Sequence, residues 1–410
     1  MKTAAAAIAA FLTLAGAACA AAPSPADQAA IAAMETHVGR TAPAGETQTY
    51  KTLAERMAEL KVPAISVAVF EHGHVVWAKA YGAATAGGQP ATPDTLFQAA
   101  SMSKALAATA ALKLVEQGRL DLDEDVNARL KAWKVPPSPY TAQSEVTLRR
   151  LLSHTAGMTV SGFPGYPTGT PVPTLVQILN GAAPSNTPAI QSWEAPGGAY
   201  AYSGGGYTVA QLMIVEAGGK PYPDLLKTLV LDPAGMKQST LAQPLPPALI
   251  PRAASGHNRK GEVIPGARNV YPEYAAAGLW TTPSDYGRFM IALQDAYAGR
   301  SHAILSQASA KTMLTPVDTA AGYGLGEGLG RRGGHPYFSH SGGNEGFQCN
   351  SLAFLDGAGQ GVVVMTNSDS GGMIAGEIFR ALAEAYHWGD PDPANPKSNR
   401  RAPDKPPAAG

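Results

Sequence analysis

Apolar positions recur every three or four residues in some stretches of this chain and every second residue in others, and the change of period divides it into regions. Leu53, Met57 and Leu60 share one helical face, which predicts a short amphipathic helix. The run "AISVAVFEHGHVVWAKAYG" gives two β-rich segments about Glu71 to His74, a hairpin signal. "FQAASMSKALAATAALKLVEQGRLDL", residues 97–122, is an apolar helical run closed by a glycine, with two serines and a lysine at its mouth.

From there to about residue 295, helical patterns such as "TLVQILNG" and "TVAQLMIVEAGG" alternate with loops rich in Pro and Gly. In "TTPSDYGRFMIAL", Thr282 stands as N-cap and Pro283 as first helical residue, a start signal with a mechanism. The β pattern returns in "GFQCNSLAFLDGAGQGVVVMTNSD", where two strands flank a Gly-rich turn, and "MIAGEIFRALAEAYHW" predicts a last helix. Strands at both ends with helices between predict an α+β fold. One antiparallel sheet is built from the N- and C-terminal pieces (about 46–100 and 296–388), and a mostly helical part (about 101–295) interrupts it. A cleft at their junction is the natural site.

The two ends of the chain read differently. "MKTAAAAIAAFLTLAGAACAAAPSPADQ" sets Lys2 before a short apolar run with small residues at Ala18 and Ala20, the pattern of a cleaved secretory signal. Residues 1–20 are therefore expected to be a signal peptide, 21–45 a linker, and the mature protein periplasmic or secreted. Gly16 stands where a lipoprotein signal usually carries Leu, which argues against lipidation of Cys19. Residues 389–410 hold too little apolar content to pack and are expected to be a disordered tail.

Composition narrows the partners. Lys plus Arg and Asp plus Glu number 31 each, so no overall field draws the protein to nucleic acid or an anionic membrane. A small neutral or zwitterionic substrate fits better. No later segment is long and apolar enough to span a bilayer. Cys19 and Cys349 are the only cysteines; signal cleavage leaves Cys349 alone, so no disulfide is available, and its strand-like setting reads as a small buried residue. His72 and His74 at the hairpin tip lack a third ligand and read as exposed turn residues. "GYGLGEGLG" lacks the G-x-G-x-x-G spacing and a following helix, so it reads as a strand of small residues near the cleft. No metal and no cofactor are implied.

Ser101 and Lys104 are three apart, so on a helix they share a face and the amine reaches the hydroxyl. The helix start adds unpaired N–H groups that favour developing negative charge. These are the needs of an activated serine: a base within reach and donors aimed at an oxyanion. By itself, S-x-x-K spacing is as well explained by an N-cap serine with a solvated lysine.

Two more segments change that balance. "AYAYSGGGY" sets Tyr202 in a Gly-rich turn, and "YFSHSGGNEG" sets His340, Ser341, Gly342 and Gly343 at a late strand. With Ser101 and Lys104 they resemble the three active-site motifs of the class C β-lactamase, serine DD-peptidase and family VIII esterase family: S-x-x-K, Y-x-N and K-T-G or H-x-G. "DTLFQAASMSK", "LRRLLSHTAGM", "LVLDPAGM" and "AAGLWTTPSDYGRFM" are similar to family sequence as well, and the resemblance covers roughly residues 46–388.

The resemblance implies a β-lactamase/DD-peptidase-like fold in which Ser101 is the nucleophile and Lys104 and Tyr202 share the proton transfers. It implies an oxyanion hole of the Ser101 and Gly343 N–H groups, a substrate-facing role for His340, Ser341 and Gly342, no catalysis by His154 and a filler role for Ser103. Two departures bear on substrate: Gly204 stands where the family's amide-binding Asn is usual, and His340 where class C β-lactamases carry Lys. The expected protein is an exported serine hydrolase acting through acyl-Ser101 on esters or small peptide-like amides, as an esterase or D-Ala-type peptidase. A class C type β-lactamase and a non-catalytic, penicillin-sensing envelope protein are the alternatives. Expected partners are a small-molecule ester, β-lactam or cell-wall peptide. The loop "TVSGFPGYPTGTPVPT" is expected to shape the acyl pocket; its aromatics Phe163 and Tyr166 suggest contact with an apolar group, and ordinary loop packing explains them at least as well.

Overall fold

The structure is a computed structural model that describes residues 22–39 and 49–388. The signal segment and the tail lie outside the described residues. Helices α1 (Pro25–Thr36) and α2 (Leu53–Leu60) precede the hairpin of β1 (Ala64–Glu71) and β2 (His74–Gly82). The middle of the chain holds β3 (Phe97–Gln98), α3 (Ser103–Glu116), α4 (Val126–Arg129), α5 (Leu148–Leu152), β4 (Tyr166–Pro167), α6 (Leu175–Asn180), α7 (Gly204–Gly218), α8 (Tyr222–Leu226), β5 (Asn269–Val270), α9 (Tyr274–Ala277) and β6 (Trp280–Thr281). Then come α10 (Pro283–Ala298), α11 (Gln307–Met313), β7 (Gly328–Arg332), β8 (His335–Asn344), β9 (Phe347–Phe354), β10 (Gly361–Thr366) and α12 (Gly371–Ala385).

The main sheet runs β2-β1-β10-β9-β8-β7, with every neighbouring pair antiparallel. Its central strands are covered on both faces, which is why "AISVAVFE" and "GVVVMT" read as continuous apolar runs rather than as alternation. Ile65, Val67, Val69, Val362 and Val364 face one core with Met34 of α1, Leu53 of α2 and Ile374, Ile378 and Leu382 of α12. Phe70, Cys349, Val363 and Met365 face the larger core shared with α3, α7 and α10.

Three expectations are corrected. The 21–45 segment is not only a linker: α1 lies in it, started by a Ser24–Asp27 capping box and packed on α12 through its apolar face. Helix α10, expected in the helical part, covers the sheet against β1, β2 and β10. In "GYGLGEGLG" only Gly328 onward is strand, and Tyr323 to Glu327 form a buried turn. His72 and His74 are exposed at the β1–β2 turn, and Cys349 is fully buried, where burial pushes its thiol up to about 12.

Candidate active site

The site forms where the late strand of the sheet meets the start of α3. Pairing of β3 with β6 fixes residues 97 and 98. The chain then turns through Ala100, whose φ of 49° is costly for any residue with a Cβ, into a single 3₁₀ turn over Ala100–Met102. Ser101 sits half-buried on that turn, and α3 begins at Ser103. The Ser103 hydroxyl is no filler: it donates to the Ala100 carbonyl at 2.6 Å and accepts from the Leu279 N–H at 3.0 Å, tying the nucleophile's turn to the segment after α9.

Lys104 is only 2% exposed although it carries an amine. Its Nζ donates to Ser101 Oγ at 3.2 Å and to the Ala276 carbonyl of α9 at 2.9 Å. The amine also lies 4.9 Å from the centre of the Tyr202 ring and 5.4 Å from that of Tyr207, within cation–π range. Tyr202 is half-buried on the approach to α7, whose N-cap is Ser203. Thus the structure brings Ser101, Lys104 and Tyr202 together, around an amine whose partners are a hydroxyl, a carbonyl and aromatic faces. That is a nucleophile–base pair in hydrogen-bond reach.

Strand β8 supplies the opposite wall. Its pairing with β7 ends at Ser339, while β9 continues alongside to Asn344. The freed stretch packs on the Ser101 turn so closely that a Cβ on Gly342 would stand 2.1 Å from the Ala99 carbonyl oxygen. Ser341 and Gly343 are exposed, and His340, Gly342 and Asn344 point inward, as the period of a strand requires. His340 is occupied within the protein: its Nδ1 lies 2.6 Å from the Ser341 carbonyl, which can only accept, so Nε2 receives the Tyr323 hydroxyl at 3.1 Å. Asn344 donates to Gln98 and to the Ala277 carbonyl, joining β8, β3 and α9.

Gly204 opens α7, and a side chain there would run into the Phe163 ring at 2.9 Å. The place of the family's Asn is filled by an aromatic ring from the 159–174 loop. Phe163 is partly exposed, whereas Tyr166 is buried with its hydroxyl accepting from the Asn186 N–H, so Phe163 is the one available to the cleft. Tyr207, Tyr323 and Asn344 were missed in the sequence and Ser103 was read as filler, because each has a partner more than a dozen residues away.

Comparisons with known proteins bear on the family and the fold. A family model described as Beta-lactamase matches residues 50–387. The chain is 29% identical over 340 residues to penicillin-binding protein 4 of Amycolatopsis lactamdurans, which covers 79% of this chain and 86% of that one. It is 27% identical over 248 residues to protein flp of Staphylococcus aureus (strain N315), covering 59% of this chain but 46% of that one, about half its length. Among solved structures, the octameric penicillin-binding protein homologue from Pyrococcus abyssi shares the fold at TM-score 0.68 and 24% identity, over 84% of this chain and 78% of that one. The D-amino acid amidase from Ochrobactrum anthropi SV3 complexed with L-phenylalanine amide aligns at TM-score 0.62 and 26% identity, over 82% and 97%. The chain belongs to the beta-lactamase family, a family of serine hydrolases.

Proposed function

We propose that the protein is an exported serine hydrolase that works through an acyl-Ser101 intermediate on esters or small peptide-like amides. Ser101 Oγ attacks the carbonyl carbon while Lys104 and Tyr202 carry its proton to the leaving group. The oxyanion is received by the backbone N–H groups of Ser101 and Gly343, beside Ser341 and Gly342. Water, activated by the same pair, then releases the acid and frees Ser101. The observation that carries the reading is the 3.2 Å contact between Lys104 Nζ and Ser101 Oγ, with Ser101 half-buried at the mouth of α3.

Substrate preference follows from two supports. Gly204 and the Phe163 ring remove the polar side chain that would grip a β-lactam's amide, and likeness to a D-amino acid amidase favours simple aminoacyl amides beside esters. Export rests on the pattern from Lys2 to Ala20.

The test compares hydrolysis of p-nitrophenyl acetate and D-phenylalanine amide by wild type, Ser101→Ala and Tyr202→Phe, with the intact mass recorded after brief exposure to penicillin. Ser101-dependent turnover is expected. A persistent penicillin adduct on Ser101 would move the preferred substrates to cell-wall stem peptides. Absence of both turnover and an adduct would defeat the reading.

A further inference from the structure

His154 stands outside the three motifs, yet its contacts converge on Tyr202. It follows α5 in the left-handed region, at φ 59°, and is 2% exposed. Its backbone carbonyl accepts from the Ala201 N–H at 2.8 Å, and its Nδ1 accepts from the Ser203 N–H at 3.0 Å. One residue therefore holds the main chain on both sides of Tyr202. The imidazole also lies against the phenol ring, with centroids 4.3 Å apart and planes inclined by 37°.

The ring's protonation follows from this bond. A backbone N–H only donates, so Nδ1 carries no proton and the single ring proton is on Nε2. That atom is buried and has no hydrogen-bond partner among the described residues. Around the ring stand Tyr200, Tyr202, Tyr207 and Tyr323, with Lys104 and His340 nearby. Burial above all holds the imidazole neutral, its pKa well below the usual histidine range. Left-handed backbone and an orphaned buried donor are two departures from ordinary packing at one position. Such departures persist where the surroundings over-determine them, and they cluster at working sites. A phenylalanine would fill the same tyrosine-lined recess without the orphan; it would not supply an acceptor to Ser203.

We propose that His154 is a positioning residue for Tyr202, setting the phenol against the Lys104–Ser101 pair through the Ser203 hydrogen bond and the ring contact. The inference rests on the acyl-enzyme reading, in which Tyr202 moves protons, and it assigns His154 no contact with substrate.

Three variants separate positioning from mere packing. His154→Asn keeps an acceptor near the Nδ1 position and tolerates left-handed backbone. His154→Phe keeps a ring and removes the acceptor, and His154→Gln moves the acceptor to the Nε2 position. With p-nitrophenyl acetate, His154→Phe and His154→Gln are expected to lower kcat about 10- to 100-fold with KM within about twofold, and His154→Asn to recover most of the loss. Long-range ¹H–¹⁵N spectra of the wild type should show the neutral Nε2–H tautomer without titration through the ordinary histidine range.

Full kcat in His154→Phe or His154→Gln, a His154→Asn variant no better than His154→Gln, or an Nδ1–H tautomer would each overturn the proposal. If His154→Phe does not fold, the Asn and Gln pair and the tautomer decide it. Wild type without Ser101-dependent turnover would overturn the acyl-enzyme reading and this one with it, whereas turnover that the His154 variants leave intact overturns this one alone.

Discussion

The Lys104 amine reaches Ser101 Oγ at 3.2 Å from the first turn of α3, and the Ala276 carbonyl holds it from the other side at 2.9 Å. Removing the amine while keeping the length of the side chain should therefore spare the fold and remove the base. Lys104→Met is expected to lower kcat about 10²- to 10⁴-fold, with a melting temperature at or above that of wild type, measured by ester hydrolysis and calorimetry. Activity within a few-fold of wild type would show that another group takes the Ser101 proton.

Gly342 has no room for a methyl group, because its Cβ would meet the Ala99 carbonyl oxygen at 2.1 Å. Relief requires β8 and the Ser101 turn to part. Gly342→Ala should cost about 1–3 kcal/mol of stability, read from denaturant unfolding, and should slow acylation of Ser101 by a fluorophosphonate probe. Unchanged labelling would mean that the spacing between β8 and the nucleophile is not critical.

At Gly204 the obstacle is the ring of Phe163, a side chain that can be removed. Gly204→Asn alone is expected to destabilise the protein without improving turnover of a chromogenic cephalosporin. The double variant Gly204→Asn with Phe163→Ala should recover the stability and raise that turnover above the wild-type level. Equal cephalosporin rates in the single and double variants would disconnect Phe163 from substrate choice.

The Ser103 hydroxyl is the acceptor for the buried Leu279 N–H. Ser103→Ala leaves that donor unsatisfied, which should cost about 1–3 kcal/mol. Chemical denaturation measures it, and a loss below a few tenths would show that another acceptor takes over.

Glu273 is fully buried with neither carboxylate oxygen hydrogen-bonded among the described residues, and burial pushes its pKa up to about 8. The native state thus holds a proton that the unfolded chain releases near an ordinary glutamate value of about 4.3. Between those values the native state binds more protons, so this group's contribution to stability falls as pH rises, by up to about 1.4 kcal/mol per pH unit, until the native carboxyl itself ionises. Glu273→Gln keeps the neutral shape and should flatten the decline from about pH 5 to about pH 8, leaving the variant more stable than wild type at pH 8. Parallel stability–pH curves for the two proteins would contradict this.

Much of this architecture could be read locally. Caps at Thr282, the 3.6 period through Leu53, Met57 and Leu60, and the two-residue turn at His72 and Gly73 act over a few bonds, so neighbouring residues suffice to specify them. The spacing of Ser101 and Lys104 is local in the same sense, since one helical turn brings three residues' separation within reach. The segment 21–45 failed this reading because α1 is held by distant surface: its small apolar face, Ala30, Ile31 and Met34, gains its stability against α12, α2 and the sheet.

By itself, then, the sequence determined the strongly patterned helices and strands, the antiparallel sheet built from the two ends of the chain, and the types of residue that meet at its junction with the helices. Tertiary structure alone decided that Ala276 would hold Lys104, that Phe163 would fill the space beside Gly204, that His340 would turn inward to Tyr323, and that His154 would clamp both sides of Tyr202. The reason is range: periodicity and capping act between neighbours in the chain, whereas a buried polar group must find whichever partner the packing of remote segments brings to it.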